Sequence, residues 1–258
     1  MSLKEKSLRA AIIANCRTMN ASGLNQGTSG NISARLGESM LITPSAVPYA
    51  NMRPDMLARI PLDGEYGAWH GPAKPSSEWR FHLDIMRARP DVGAIVHCHP
   101  TWCTALAMLR RPIPASHYMI ALFGGPDVRC TDYASYGTKE LSDLAVAGLA
   151  DRFGVLLGNH GAITVGPSLE NAMARMVELE TLARMHCVAL SIGRPAILPD
   201  AEVYRIVERF KTYGGGQDAP KPGRPKAKAR AAKAEKSRAK DSSTTAPKTK
   251  RPARKKSQ

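Results

Sequence analysis

The stretch Val92-Gly93-Ala94-Ile95-Val96-His97-Cys98-His99-Pro100 decides how the rest of the chain is read. Ala94, Ile95 and Val96 form a short apolar run with β-branched members, and Pro100 stops it, as in a buried strand. Side chains alternate across a strand with a period of two, so His97 and His99 point to one face. Further along, Asn159-His160-Gly161 supplies a third imidazole. Three imidazoles make the protein part of a catalytic zinc site, whose fourth position stays open for water or substrate. Such a centre is a Lewis acid suited to carbonyl or enolate chemistry. Two strand histidines alone also fit solvent-facing or core roles, so the flanking segments must decide.

Outward from this strand, helices and short strands mix irregularly. Leu8, Ile12, Cys16 and Met19 recur at helical spacing over residues 3–20, ending at Ser22-Gly23. Short strands are expected at 31–35, 40–43 and 56–61, within a stretch punctuated by Pro44, Pro48 and Pro54. Residues 78–89 read as a helix with Phe81, Ile85 and Ala88 on one face, closed by Pro90. A short apolar helix at 102–109 follows the histidine strand, and a further helix at 137–151 carries Leu141, Leu144, Ala145 and Leu149. Strands at 154–157 and 162–165 flank the Asn-His-Gly turn. Residues 168–192 form the longest helix, with Leu169, Met173, Met176, Leu179 and Ala183 along its buried stripe, and 200–211 a last one. The pattern predicts one α/β domain over residues 1–218, with a mostly antiparallel central sheet covered by helices.

Charge is distributed unevenly. Residues 219–258 carry 15 Lys and Arg against Glu235 and Asp241, and so hold +13 of the formal +15. The first 218 residues are close to neutral, so the high pI describes the tail and not the domain. The tail has no Leu, Ile, Val or aromatic residue and cannot bury a core; disorder is the expectation for it. Its Lys/Ala/Pro composition allows salt-sensitive, sequence-blind contact with nucleic acid through phosphate neutralisation, or simply a solvated terminus. The five cysteines are odd in number and form no C-x-x-C pair, which fits reduced thiols in a cytoplasmic protein. No stretch approaches the roughly 18 apolar residues of a membrane span, so no membrane contact is expected.

Further segments bear chemistry. Gly27-Thr28-Ser29-Gly30-Asn31-Ile32-Ser33 is a hydroxyl-rich turn whose backbone N–H groups and Asn31 amide suit a phosphate. Thr43-Pro44-Ser45 and Ser76-Ser77-Glu78 are similar, and a helix beginning near Ser77 would also welcome an anion. Each of these, alone, is equally an ordinary turn or helix cap. Glu78 beside a metal is a fourth ligand or general base; at a helix start it is otherwise a surface acid. His82, His117 and His186 show no partner pattern and read as structural or surface residues, with His70 in a loop.

Taken in order, these segments resemble the class II aldolase/adducin family, and within it the members that cleave L-fuculose phosphate. The resemblance runs from about residue 3 to Gly214 and rests on Thr28 to Ser33, Leu41 to Ser45, Ser76 to His82, Val96 to His99, Ile113 to Ile120, Tyr136 to Thr138, Asn159 to Gly161 and Phe210 to Gly214. It implies a homotetramer with active sites between subunits and one Zn2+ ion per subunit. His97, His99 and His160 would bind the zinc, with Glu78 approaching it when substrate is absent. Gly30, Asn31, Ser45, Ala46, Ser76 and Ser77 would surround the substrate phosphate. Tyr118 from the adjacent subunit would donate a proton to the aldehyde oxygen, Tyr213 would cover the site, and Glu78 would shuttle the C3 proton. The family usually has glycine where this chain has Ala46, and alanine penalises a positive φ.

The implied activity is zinc-dependent, reversible cleavage of a ketose 1-phosphate, L-fuculose 1-phosphate favoured, into dihydroxyacetone phosphate and an aldehyde such as L-lactaldehyde. Other family chemistries on the same site are aldolases for 5-deoxy- or methylthio-pentulose 1-phosphates, a pentulose-phosphate 4-epimerase and a methylthioribulose-phosphate dehydratase. A non-enzyme alternative is an adducin-like binding protein, against which three imidazoles and Glu78 at matching positions speak.

Overall fold

The histidine-bearing strand lies in the middle of an eight-stranded sheet in the computed structural model, which describes residues 1–212. In chain order the elements are α1 (Leu3–Ala21), β1 (Asn31–Leu36), β2 (Ser39–Ile42), β3 (Ala58–Pro61), α2 (Trp79–Ala88), β4 (Ala94–Cys98) and α3 (Thr101–Met108). There follow β5 (Ile113–Pro114), β6 (Asp127–Cys130), α4 (Lys139–Gly148), β7 (Gly154–Leu157), β8 (Gly161–Gly166), α5 (Leu169–Ile192) and α6 (Asp200–Thr212). The sheet order is β3-β2-β1-β4-β8-β7-β6-β5. All neighbours are antiparallel except β6 and β7, which run parallel. The expected single α/β domain with a mostly antiparallel sheet is what forms. Tyr213 and the tail from residue 219, with its expected disorder, lie outside the described residues.

Helices cover both faces, which is why β4 is buried along its whole length. Ala94, Val96 and Cys98 pack into one core with Ile12, Cys16, Leu106 and Met176, from α1, α3 and α5. Ile95 packs into the other with Phe81, Ile85, Leu141 and Ala145, from α2 and α4. The period of two therefore sends His97 toward α2 while its neighbours face α5.

Helix ends follow local chemistry. Ser2 caps α1 by accepting from the Glu5 N–H at 3.2 Å, and Ser168 caps α5 by accepting from the Asn171 N–H at 3.3 Å. The α3 start has no side-chain cap from Pro100. Instead the Glu180 carboxylate of α5 accepts from the Trp102 and Cys103 N–H groups, each at 2.9 Å.

Some expectations shift. The strand expected from 56 begins at Ala58, because Pro54–Met56 closes a 3-10 turn first. Ala88 ends α2 in solvent rather than in the core. Two strands had no readable pattern: β5 has two residues, and β6 is Asp-Val-Arg-Cys with one apolar side chain fully buried. A 3-10 helix at Tyr118–Phe123 was likewise unforeseen, and α6 packs against it.

Candidate active site

Asn31 sits directly opposite His97 in the β1–β4 register, and cross-strand partners share a face. Asn31, His97 and the α2 residues Phe81 and His82 are consequently on one side of the sheet. His99 follows just past the end of β4, and His160 sits on the turn between β7 and β8. That turn closes through Asn159, whose φ is 55°, while the Arg110 guanidinium donates to the Asn159 side-chain oxygen at 2.7 Å. Gly161 is required where β8 begins: a Cβ there would meet His99 Cδ2 at 2.5 Å and the Cys98 carbonyl oxygen at 2.6 Å. The chain thus passes flush against the His99 ring.

The three imidazoles converge. Their ring centroids are 4.9 to 5.0 Å apart, and one nitrogen from each lies within 4.8 Å of the others. His97 Nδ1–H donates to the Ala162 carbonyl oxygen at 3.0 Å, and a carbonyl can only accept, so Nε2 is the atom turned toward the centre. The Nε2 atoms of His97 and His99 face each other at 3.2 Å. Glu78, at the head of α2, places Oε2 3.2 Å from His97 Nε2 and Oε1 3.2 Å from His160 Nε2. Glu78 Oε1 is buried without a hydrogen-bond donor. A buried carboxylate against two of three convergent imidazoles is the arrangement a cation completes.

Electrostatics agree. Burial, reinforced by the charge of His97 and, for His99, of His160, holds His99 down at about 3 and His160 at about 4; Glu78 pulls the other way. Neutral imidazoles are the form that binds metal. Burial pushes Glu78 upward, but the charges of His97 and His160 and hydrogen bonds from His97 and Asn31 outweigh it, leaving the carboxyl well below its usual range.

Beside the histidines opens a cavity of about 350 Å³. Gly30, Asn31, Ser45, Ala46, Ser76 and Ser77 all line it, together with Glu78, His99 and His160. The loops meet because the Ser76 N–H donates to the Thr43 carbonyl at 2.9 Å and the Ser45 N–H to the Lys74 carbonyl at 3.0 Å. Tyr49 Oη holds the Gly30 carbonyl at 2.5 Å from the other side. No Lys or Arg is among the described residues that line it, which meet an anion with hydroxyls and backbone N–H groups. Asn31 also reaches Glu78: its Nδ2 donates to Oε2 at 2.9 Å. His82 is wholly buried behind it.

Tyr118 is not at this cavity in its own chain. It is half exposed and borders a separate depression with Met119, Leu122 and α6. Among the lining residues given no role in the sequence are two tyrosines, Tyr133 and Tyr136. The readable signal was a pair of tyrosines in an otherwise small, polar loop before α4.

The profile of the Class II Aldolase and Adducin N-terminal domain family matches residues 10–187. The 5-methylthioribulose-1-phosphate/5-deoxyribulose-1-phosphate aldolase of Rhodospirillum rubrum is 48% identical over 216 residues, covering 84% of this chain and 96% of that protein. The L-fuculose phosphate aldolase of Escherichia coli K12 is 42% identical over 214 residues, covering 82% and 98%. A solved L-fuculose 1-phosphate aldolase superposes with a TM-score of 0.76 at 38% identity, covering 80% of this chain and 96% of that one. The chain belongs to the class II aldolase and adducin family, as a lyase of the class II aldolase type.

Proposed function

We propose that this chain is a zinc-dependent aldolase that reversibly cleaves a ketose 1-phosphate into dihydroxyacetone phosphate and an aldehyde. The observation that carries the reading is the juxtaposition of three convergent imidazoles, a buried carboxylate and a hydroxyl-lined cavity. Nitrogen donors with one carboxylate suit zinc better than a hard, oxygen-seeking cation. A divalent ion held by His97, His99 and His160 supplies Lewis acidity for the charge that develops on the substrate oxygens as C3–C4 breaks.

The chain's own residues do the rest. Gly30, Asn31, Ser45, Ala46, Ser76 and Ser77 surround the phosphate, and this remote contact orients the reacting carbons. Glu78 returns and removes the proton at C3 of dihydroxyacetone phosphate. Its low exposure, 4%, strips it of competing water. Tyr118 would protonate the aldehyde oxygen, and its place away from the histidines supports a role in a neighbouring copy's site, as a homotetramer allows. Tyr213 is proposed to cover the site.

L-fuculose 1-phosphate, with L-lactaldehyde as product, is the favoured substrate. The 48% identity to the Rhodospirillum rubrum protein supports a second reading, a 5-deoxy- or methylthio-pentulose 1-phosphate. Dihydroxyacetone phosphate release from each, before and after chelation and zinc restoration, separates them. Release that the chelator abolishes and zinc restores is expected. No release from either by zinc-loaded protein would overturn the aldolase reading.

A further inference from the structure

We propose that His82 is a positioning residue for the Glu78 proton shuttle, acting through the Asn31 amide; this rests on the aldolase reading above. The juxtaposition is a directed chain of hydrogen bonds, from Ser33 Oγ to His82 Nδ1 at 2.7 Å, His82 Nε2 to Asn31 Oδ1 at 2.5 Å, and Asn31 Nδ2 to Glu78 Oε2 at 2.9 Å.

The direction of every link follows from the carboxylate. An ionised carboxylate only accepts, so Asn31 must turn its amide N–H2 toward Glu78 and its carbonyl away. A carbonyl only accepts, so His82 must present Nε2–H to it. With the proton on Nε2, His82 Nδ1 carries a bare lone pair, and the Ser33 hydroxyl donates to it. Reversing the amide would set a carbonyl oxygen against the carboxylate, two acceptors facing each other in a buried place, even though the His82 and Ser33 links could re-form in the opposite sense.

The surroundings make this a fixed device. His82 has no exposed surface, and the Phe81 ring stacks on it at 4.6 Å and 24°. Burial is the main reason its imidazole stays neutral, its pKa held down at about 3. Ser33 and Asn31 are two apart on β1, so the period of the strand aims both at α2, where His82 lies one turn beyond Glu78. Glu78 itself has no competing donor on Oε1. Beside the His97 ring at 3.2 Å, the Asn31 amide on Oε2 therefore helps to fix its orientation between His97 and His160.

The test uses zinc-loaded full-length protein and follows deuterium exchange at C3 of dihydroxyacetone phosphate alongside ketose-phosphate cleavage. His82→Leu is expected to slow exchange and kcat together by at least about tenfold while leaving KM within about twofold. His82→Gln, whose amide N–H2 replaces Nε2–H, is expected to recover both to within about threefold of wild type. A folded His82→Leu protein with unchanged exchange would overturn the proposal, as would equal losses in the Gln and Leu variants. Where His82→Leu does not fold, two-bond proton–nitrogen NMR of the wild type decides. A neutral Nε2–H tautomer at His82 supports the proposal, and the Nδ1–H tautomer or an imidazolium overturns it. Wild-type protein that neither exchanges nor cleaves removes the aldolase reading and this proposal with it. Active wild type with an indifferent His82→Leu removes this proposal alone.

Discussion

Ala46 holds φ at 58°, in the left-handed region that alanine disfavours by about 1–2 kcal/mol. Glycine relieves that cost but gives back about 0.5–1 kcal/mol through a freer unfolded chain. Ala46→Gly is therefore expected to stabilise the protein by roughly 0.5–1 kcal/mol in denaturant unfolding without raising KM for the ketose phosphate. A lower unfolding midpoint would show that the methyl group contributes packing instead. At this scale the sequence was informative about residue type more than about contact. The departure at Ala46 and the three histidines were legible as such. The tie between Asn31 and Glu78 was not, because it joins residues of separate elements. His82 looked unpartnered for the same reason: its partners Ser33 and Asn31 precede it by about fifty positions, on another element.

Elements meet the site through their ends. Helix α3 starts immediately after His99-Pro100, so whatever anchors its first turn also anchors the end of β4. Glu180 is that anchor, accepting two backbone N–H groups at 2.9 Å each. Glu180→Ala leaves these partly buried donors without a partner, at a cost of about 1–2 kcal/mol, typical of a lost helix cap. The expected outcome is a lower unfolding midpoint with reduced zinc affinity in chelator competition. Unchanged affinity would mean that β4 holds His99 unaided. Long periodic elements such as α5 were readable because a stripe of Leu169, Met173, Met176 and Leu179 repeats at helical spacing. Strand β6 was not, since four residues with one deeply buried apolar side chain carry no period; its place beside β7 is a tertiary decision.

For the whole molecule, proton binding links the site to stability. His82 and His99 drop from an ordinary 6.5 to about 3, and His160 to about 4, burial being the main cause in each. The folded chain keeps these rings neutral while the unfolded chain takes up protons below 6.5, so their contribution is complete above that pH. It is lost progressively as pH falls through 6.5 toward 4 and 3. Chelator-treated protein is expected to melt at steadily lower temperature between about pH 7 and about pH 5, and a flat profile would contradict this. The tail belongs to a different physics. Deleting 219–258 removes +13 of charge and is expected to abolish low-salt DNA retention while leaving aldolase kinetics unchanged. Equal retention by the truncated chain would locate the contact in the domain. What the sequence determined by itself was the periodic and the local: helix stripes, the strand that aims His97 and His99 one way, the turn residues, and the separation of a charged tail from a near-neutral domain. Only the tertiary structure decided what joins across the sheet, because burial and hydrogen-bond pairing depend on which strands become neighbours. The β1–β4 register set Asn31 against His97, the packing of α2 brought Glu78 and His82 to that face, and the β7–β8 turn carried His160 to the other two histidines.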